Sequence, residues 1–269
     1  MTRSAVITVA HGRHAHLACQ EAGLSRMHGK PDTRLIVALD DPHIRSVAHP
    51  GSTVVECDSK TDALAIARAR NRGAHHALDG GAEVLIFLDV DCIPSSSLVD
   101  DYLEAHRRAG GNTLLCGPVT YLAPSPGGYA LDSIEELTDP HPARPLPAPG
   151  ELMAGTDYDL FWSLSFAVSS QTWTRLGGFC EEYTGYGGED TDFAAMAQAA
   201  GVPLTWMGGG HAYHQYHPVS NPPVEHLHDI VANSAVFRRR WGRWPMAGWL
   251  DCFERDGLLV RDGDQIIAR

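Results

Sequence analysis

The chain has 269 residues, of which 43% are hydrophobic and 20% charged, and its formal net charge is −12. This is a globular balance, long enough for one large α/β domain or for a domain with an appended subdomain. The acidic surface excludes a nucleic-acid backbone as partner, which needs a basic footprint. An anionic nucleotide remains compatible, provided a metal ion and backbone dipoles offset the charge.

Cys19, Cys57, Cys92, Cys116, Cys180 and Cys252 form no CxxC pair, which argues against a zinc ribbon. They are expected to be reduced thiols of a cytoplasmic protein. The first apolar run, AVITVA, is too short for a signal peptide or an anchor. No apolar stretch reaches 18 residues, so contact with a membrane is expected to be peripheral at most.

Short apolar runs alternate with helical patterns through the first half. Strands are expected at Ala5–Ala10, Leu35–Leu39, Thr53–Glu56, Val84–Leu88 and Thr113–Cys116, all aliphatic or β-branched as in sheets buried on both faces. Helices are expected at Thr61–Leu78, which is alanine-rich, and at Ser95–Ala109, with Pro94 near its start. That alternation predicts an open, doubly wound sheet whose ligand lies beyond the carboxyl ends of its strands.

The segment Asp139–Gly150, DPHPARPLPAPG, can form neither a helix nor a central strand. It reads either as a surface loop or as a flap over an acceptor site. Beyond it come the apolar run Ser163–Ser170, a helical stretch, a glycine-rich turn at Gly185–Gly188, a helix at Asp190–Ala200 and the strand Leu204–Met207. The last fifty residues read as helical. Their Phe237–Trp244 segment, FRRRWGRW, is either a docking patch or a helix with solvated arginines and packed tryptophans.

Three motifs carry chemistry. Asp89 and Asp91 end the apolar strand VLIFL, and two residues apart on an extended chain they share one side. Paired carboxylates repel unless a cation neutralises them, and oxygen ligands suit Mg²⁺ or Mn²⁺; the alternative is a pair of acids capping the next helix. The run Gly185–Asp190, GYGGED, places acids at a helix N-terminus, where the macrodipole favours them and where one could serve as a general base. His211, His214 and His217 are spaced by three after a glycine run; one is a plausible metal ligand, and all three would suit a zinc hydrolase.

Together these features resemble the family-2 nucleotide-sugar glycosyltransferases of the GT-A fold, with a second half similar to the galactosyltransferase C-terminal region. The resemblance spans roughly residues 4 to 221. It rests on Ala5–Arg13, on Ala69–Gly73 (ARNRG), on Val84–Pro94 (VLIFLDVDCIP) and most specifically on Leu176–Asp190 (LGGFCEEYTGYGGED), where Tyr186 stands in the usual place of a tryptophan. It implies a mostly parallel twisted α/β sheet flanked by helices, divided as a 1–225 transferase domain (1–120 nucleotide-binding, 151–225 acceptor and metal) and a helical 226–269 extension. The implied nucleotide contacts are Ala10, His11, Arg13, Asp40, Asp58, Asn71, Arg72 and Asp89. The implied metal ligands for Mn²⁺ or Mg²⁺ are Asp91 and His214, with His211 and His217 as rivals. Asp190 matches the catalytic base. Glu189 matches the acid that orients the acceptor, with Tyr186, Gly187 and Gly188 lining its site. The donor is then a nucleotide-diphosphate sugar, UDP by family habit, and the outcome is inversion by the same analogy. The acceptor hydroxyl, on a glycan, a small molecule or a lipid-linked sugar, stays open. The rival readings are a metal hydrolase built on the three histidines, a sugar- or nucleotide-binding module, and a nucleotidyltransferase, whose glycine-rich first loop the turn Ala10–His14 lacks.

Overall fold

Buried aliphatic runs become strands because their side chains gain most when both faces of a sheet are covered. The structure is a computed structural model that describes residues 2–61 and 63–269. The first half runs β1 (Ser4–Ala10), α1 (His14–Arg26), β2 (Thr33–Leu39), α2 (Ile44–Val47), β3 (Thr53–Cys57), α3 (Ile66–Asp79) and β4 (Val84–Leu88). Next come β5 (Cys92–Pro94), α4 (Leu98–Ala109), β6 (Leu114–Cys116), β7 (Val119–Tyr121), β8 (Leu152–Gly155) and β9 (Ser165–Ser169). Then follow α5 (Ser170–Leu176), α6 (Glu189–Ala199), β10 (Leu204–Met207) and β11 (Ala212–His214). The chain closes with α7 (Leu227–Trp241), α8 (Ala247–Arg255), β12 (Leu259–Asp262) and β13 (Gln265–Ala268).

Eight strands form the main sheet in the order β3-β2-β1-β4-β9-β6-β10-β8. Only β9 and β8 run against the others. Strand side chains alternate between two helical layers. Ile7, Leu35, Leu85 and Phe87 pack with α3, α5 and α6, around stacked rings that include Phe87 and Phe166 at 4.7 Å. Val6, Val84, Ile86 and Leu88 pack with α1 and α4 on the other face. This is the expected mostly parallel α/β sheet flanked by helices.

A second, three-stranded sheet, β5-β11-β7, was not foreseen in the sequence. It sits beyond the carboxyl end of β4 and brings residues 91, 121 and 214 together. The helix expected over Thr61–Leu78 begins at Ile66; Asp62, which that expectation included, lies outside the described residues. The wholly helical tail is corrected: after α7 and α8 the chain ends in an antiparallel hairpin, β12–β13, turning at Gly263 with φ 58°. Among the described residues, no helix is long and apolar enough to cross a membrane, and all six cysteines are free thiols.

The proline-rich segment 139–150 is a strap whose interior is tied down. His141 N donates to Val119 O (2.9 Å), Asp139 N to Thr120 Oγ1 (3.0 Å) and Gly150 N to Gly208 O (2.9 Å). Arg144 and Pro147 within it are buried.

Candidate functional site

Asp89 and Asp91 leave β4 in a turn that the rest of the fold fixes. Cys92 N donates to Asp89 O (2.9 Å) and Gln215 N to Asp91 O (2.7 Å). Gln20 of α1, fully buried, donates from Nε2 to Asp89 O (2.6 Å) and Cys92 O (3.0 Å) and accepts from Thr8 Oγ1 (2.9 Å). The two carboxylates then take different partners.

Asp91 faces two imidazoles. His214 Nε2 lies 3.5 Å from Asp91 Oδ1, and His217 Nε2 lies 3.4 Å from Oδ2. One ligand atom from each residue falls within 4.8 Å of the other two, a spacing that one divalent ion can bridge. Burial pushes the Asp91 carboxyl up, but the His217 hydrogen bond and the charges of His214 and Arg13 outweigh it, and the net shift is downward. His211 is not part of this group. It precedes β11 by one residue and His214 ends it, so an odd separation on extended backbone turns the two rings to opposite faces. His211 Nε2 instead meets Thr120 Oγ1 at 2.7 Å, and burial pulls its pKa down to about 4. The three-histidine cluster that a zinc hydrolase would use is therefore not formed; of the two rivals to His214, His217 joins it beside Asp91 and His211 does not.

Asp89 faces Arg70. The Arg70 guanidinium is 5% exposed and bridges Asp89 Oδ1 (3.0 Å) and Glu189 Oε1 (2.8 Å). Burial opposes the charge on Arg70, yet the two carboxylates more than offset it and raise its pKa. Asp89 itself is raised to about 6, because burial and the nearby Asp91 outweigh Arg70. Arg70 was legible only as part of the ARNRG run; that it would bridge the DxD strand and the GGED helix was not.

Glu189 and Asp190 begin α6, where unpaired backbone N–H groups favour negative charge. Burial, with the charge of Glu189, raises Asp190 to about 7. The turn before them is clamped by α7. Asn233 Nδ2 donates to the carbonyls of Thr184 (2.9 Å), Tyr186 (3.3 Å) and Gly187 (2.7 Å), and Tyr186 N donates to Asp229 Oδ2 (3.1 Å). Gly185 has φ 69°, and an added Cβ would sit 2.3 Å from the Asp229 carboxylate, so only glycine fits. Tyr186 stacks on His226 at 4.2 Å and Trp249 at 6.0 Å, both from the C-terminal extension. Burial, with Asp190 and Glu189 next, raises its phenol to about 12.

The expected nucleotide contacts divide. Arg13, at the head of α1 with φ 51°, lies 3.9 Å from Asp91. Ala10 ends β1, buried. His11 Nδ1 meets Leu39 O at 2.8 Å. Asp40 accepts from Ser59 N (3.0 Å), and hydrogen bonding from Ser59 keeps its carboxyl low despite burial. Asp58 is exposed just beyond β3. Asp41, which the sequence reading missed, accepts from Gly12 N and His14 Nε2, both at 2.8 Å, and so shapes the turn after β1. Two expected contacts point elsewhere. Asn71 is spent on Phe179, with N–H and C=O bonds of 2.8 and 2.9 Å, and on Glu181 at 2.9 Å. Arg72, two positions from Arg70 and so on the other side of α3, is exposed in a depression of about 400 Å³ with Lys60, Arg68 and His75.

The doubly wound sheet with carboxylates beyond its strand ends is a fold shared with solved glycosyltransferases. Staphylococcus aureus TarS, residues 1–349 in complex with UDP-GlcNAc, superposes with a TM-score of 0.59 at 11% identity, over 81% of this chain and 60% of that one. The same TarS fragment alone gives 0.57 at 12% identity, over 87% and 65%. In sequence, residues 152–218 match a family model described as the N-terminal domain of galactosyltransferase. The chain is also 30% identical over 157 residues to the validoxylamine A glucosyltransferases of Streptomyces hygroscopicus subsp. jinggangensis (strain 5008) and subsp. limoneus. The match covers 52% of this chain but only 36% and 34% of those relatives.

Proposed function

We propose that the chain is a metal-dependent glycosyltransferase of the GT-A type that moves a sugar from a nucleotide-diphosphate donor, UDP-linked, to an acceptor hydroxyl with inversion. The observation that carries this reading is the convergence of Asp91, His214 and His217 beside the Arg70 bridge between Asp89 and Glu189. The donor set fits a divalent ion, and two imidazoles with one carboxylate suit Mn²⁺ better than Mg²⁺. When bound there, the ion supplies positive charge against the departing diphosphate. The chain's own residues do the rest. Arg13 sits at the same edge and adds a cation for a phosphate oxygen. Arg70 holds Asp89 and Glu189 at a fixed separation, so the donor and acceptor sides stay in register. Asp190, its pKa raised to about 7, would take the acceptor's proton. The names of the TarS complex and of the validoxylamine A glucosyltransferases favour a UDP-sugar donor and an acceptor like validoxylamine A.

The test is a thermal-shift panel of UDP-, GDP- and dTDP-sugars with and without Mn²⁺. A ligand that binds only the native state raises the melting temperature by mass action. The expected outcome is a Mn²⁺-dependent shift with UDP-sugars that Asp91→Ala and His217→Ala abolish. No shift with any nucleotide would remove the transferase reading.

A further inference from the structure

Tyr121 is exposed at 49%, although it ends β7, the strand paired with the one that ends in His214. The register of β7 against β11 sets it opposite His214, and their rings lie 4.6 Å apart. His141, from the proline-rich strap, meets the Tyr121 ring edgewise at 5.5 Å and the Trp162 indole at 5.0 Å. Three separate segments thus give one ring each to a continuous aromatic wall that starts at the metal-ligating residues. Behind it lies Arg144, 7% exposed. Its Nε and both Nη atoms have no hydrogen-bond partner among the described residues. The indole faces of Trp162 (5.5 Å) and Trp206 (4.6 Å) flank it instead. A buried, unpaired cation weakens a fold, so stability does not account for it. Its visible effect is to fix Trp162 and the strap from behind.

We propose that Tyr121, His141 and Trp162 form a subsite for a hydroxylated six-membered ring of the acceptor, a saccharide or a cyclitol. This rests on the glycosyltransferase reading. Such rings carry a C–H face that packs on aromatic faces while their hydroxyls stay wet. The side of the sheet assigns the wall to the acceptor. Of the expected nucleotide contacts, Ala10, His11, Arg13, Asp40, Asp58 and Asp89 lie at the ends of β1, β2, β3 and β4, whereas Tyr121 ends β7 of the second sheet and Trp162 precedes β9, on the other side of β4. A neutral ring also suits a wall against which the Arg144 guanidinium is buried.

Saturation-transfer NMR on the full chain tests this, with UDP and Mg²⁺ present and with cellobiose and validoxylamine A as probes; Mg²⁺ avoids paramagnetic broadening. The expected result is transfer to probe ring protons that falls about three- to tenfold in Tyr121→Ala and Trp162→Ala, while UDP signals hold. Arg144→Met is expected to raise the melting temperature yet weaken the same probe signal. Tyr121 is exposed, so its variant keeps the test valid should the others fail to fold. Probe signals absent from the wild type, or equal in wild type and variants, would overturn the subsite. So would loss of transfer to the sugar of a UDP-sugar instead of the free probe, which would give the wall to the donor. If UDP itself fails to bind the wild type, the transferase reading falls first, and this one with it.

Discussion

Burial and the adjacent charge of Glu189 make Asp190 hold its proton more tightly in the folded chain than the ordinary value of 3.8 would allow. The stability linked to that proton is fully present below 3.8 and is lost as pH rises through about 7. The wild-type melting temperature should therefore decline across that interval more steeply than that of Asp190→Asn, which a pH series of thermal melts reads directly. The same variant should lose about a hundredfold or more in transfer rate, the usual contribution of a positioned base. In the wild type the rate should climb as pH rises through about 7, as the base form fills; a flat profile would remove Asp190 from that role. At this scale the sequence was informative where chemistry is local. Asp89 and Asp91 follow an unmistakable buried strand, and Glu189 and Asp190 follow glycines. His217 and Arg70 were harder because their partners lie far along the chain. Nothing in the spacing of three histidines says that one faces away until β11 is known to be extended.

The glycine-rich turn shows how elements lend one another shape. Its own residues supply permissive backbone, but its carbonyls are satisfied by Asn233, two helices further on. Asn233→Ala leaves buried carbonyls unpaired, which costs about 1–3 kcal/mol and should appear as a lower midpoint in denaturant titration. Because Glu189 and Asp190 follow that turn, the transfer rate should fall as well, while the thermal shift given by donor and metal persists. Loss of the donor shift would mean that the turn also shapes the nucleotide half. The long parallel strands were legible because aliphatic runs such as VLIFL have one sensible use. Helix α1 escaped notice because its buried side includes Gln20 and Glu21, which blur the apolar stripe. Three-residue strands such as β5 and β11 are too short to carry any period, so the sheet that brings His214 to Asp91 could not be seen beforehand.

On the scale of the whole molecule, residues 226–269 are bound into the body of the α/β domain. Asp192 of α6 is fully buried and is held by Arg240 Nε (2.8 Å), Trp241 Nε1 (2.6 Å) and Tyr183 OH (3.1 Å). Ending the chain at residue 225 removes two of those three donors. A buried carboxylate stripped of its partners costs about 3–5 kcal/mol, a large share of the roughly 5–15 kcal/mol that holds a domain together. The shortened chain should accordingly show no cooperative thermal transition by circular dichroism; a sharp melt near that of the full chain would mean the extension is dispensable. The sheet order has a further consequence. Strand β4, carrying the DxD aspartates, finds its second neighbour in β9, some eighty residues later, and β6 lies beyond that. A ribosome that has released only the first 120 residues therefore presents VLIFL as a bare, sticky edge. The parts of the chain before and after residue 120 cannot be made, stored or exchanged as separate cassettes. New acceptor preferences in such a chain should come from rewriting loops at the rim, with the woven sheet left whole.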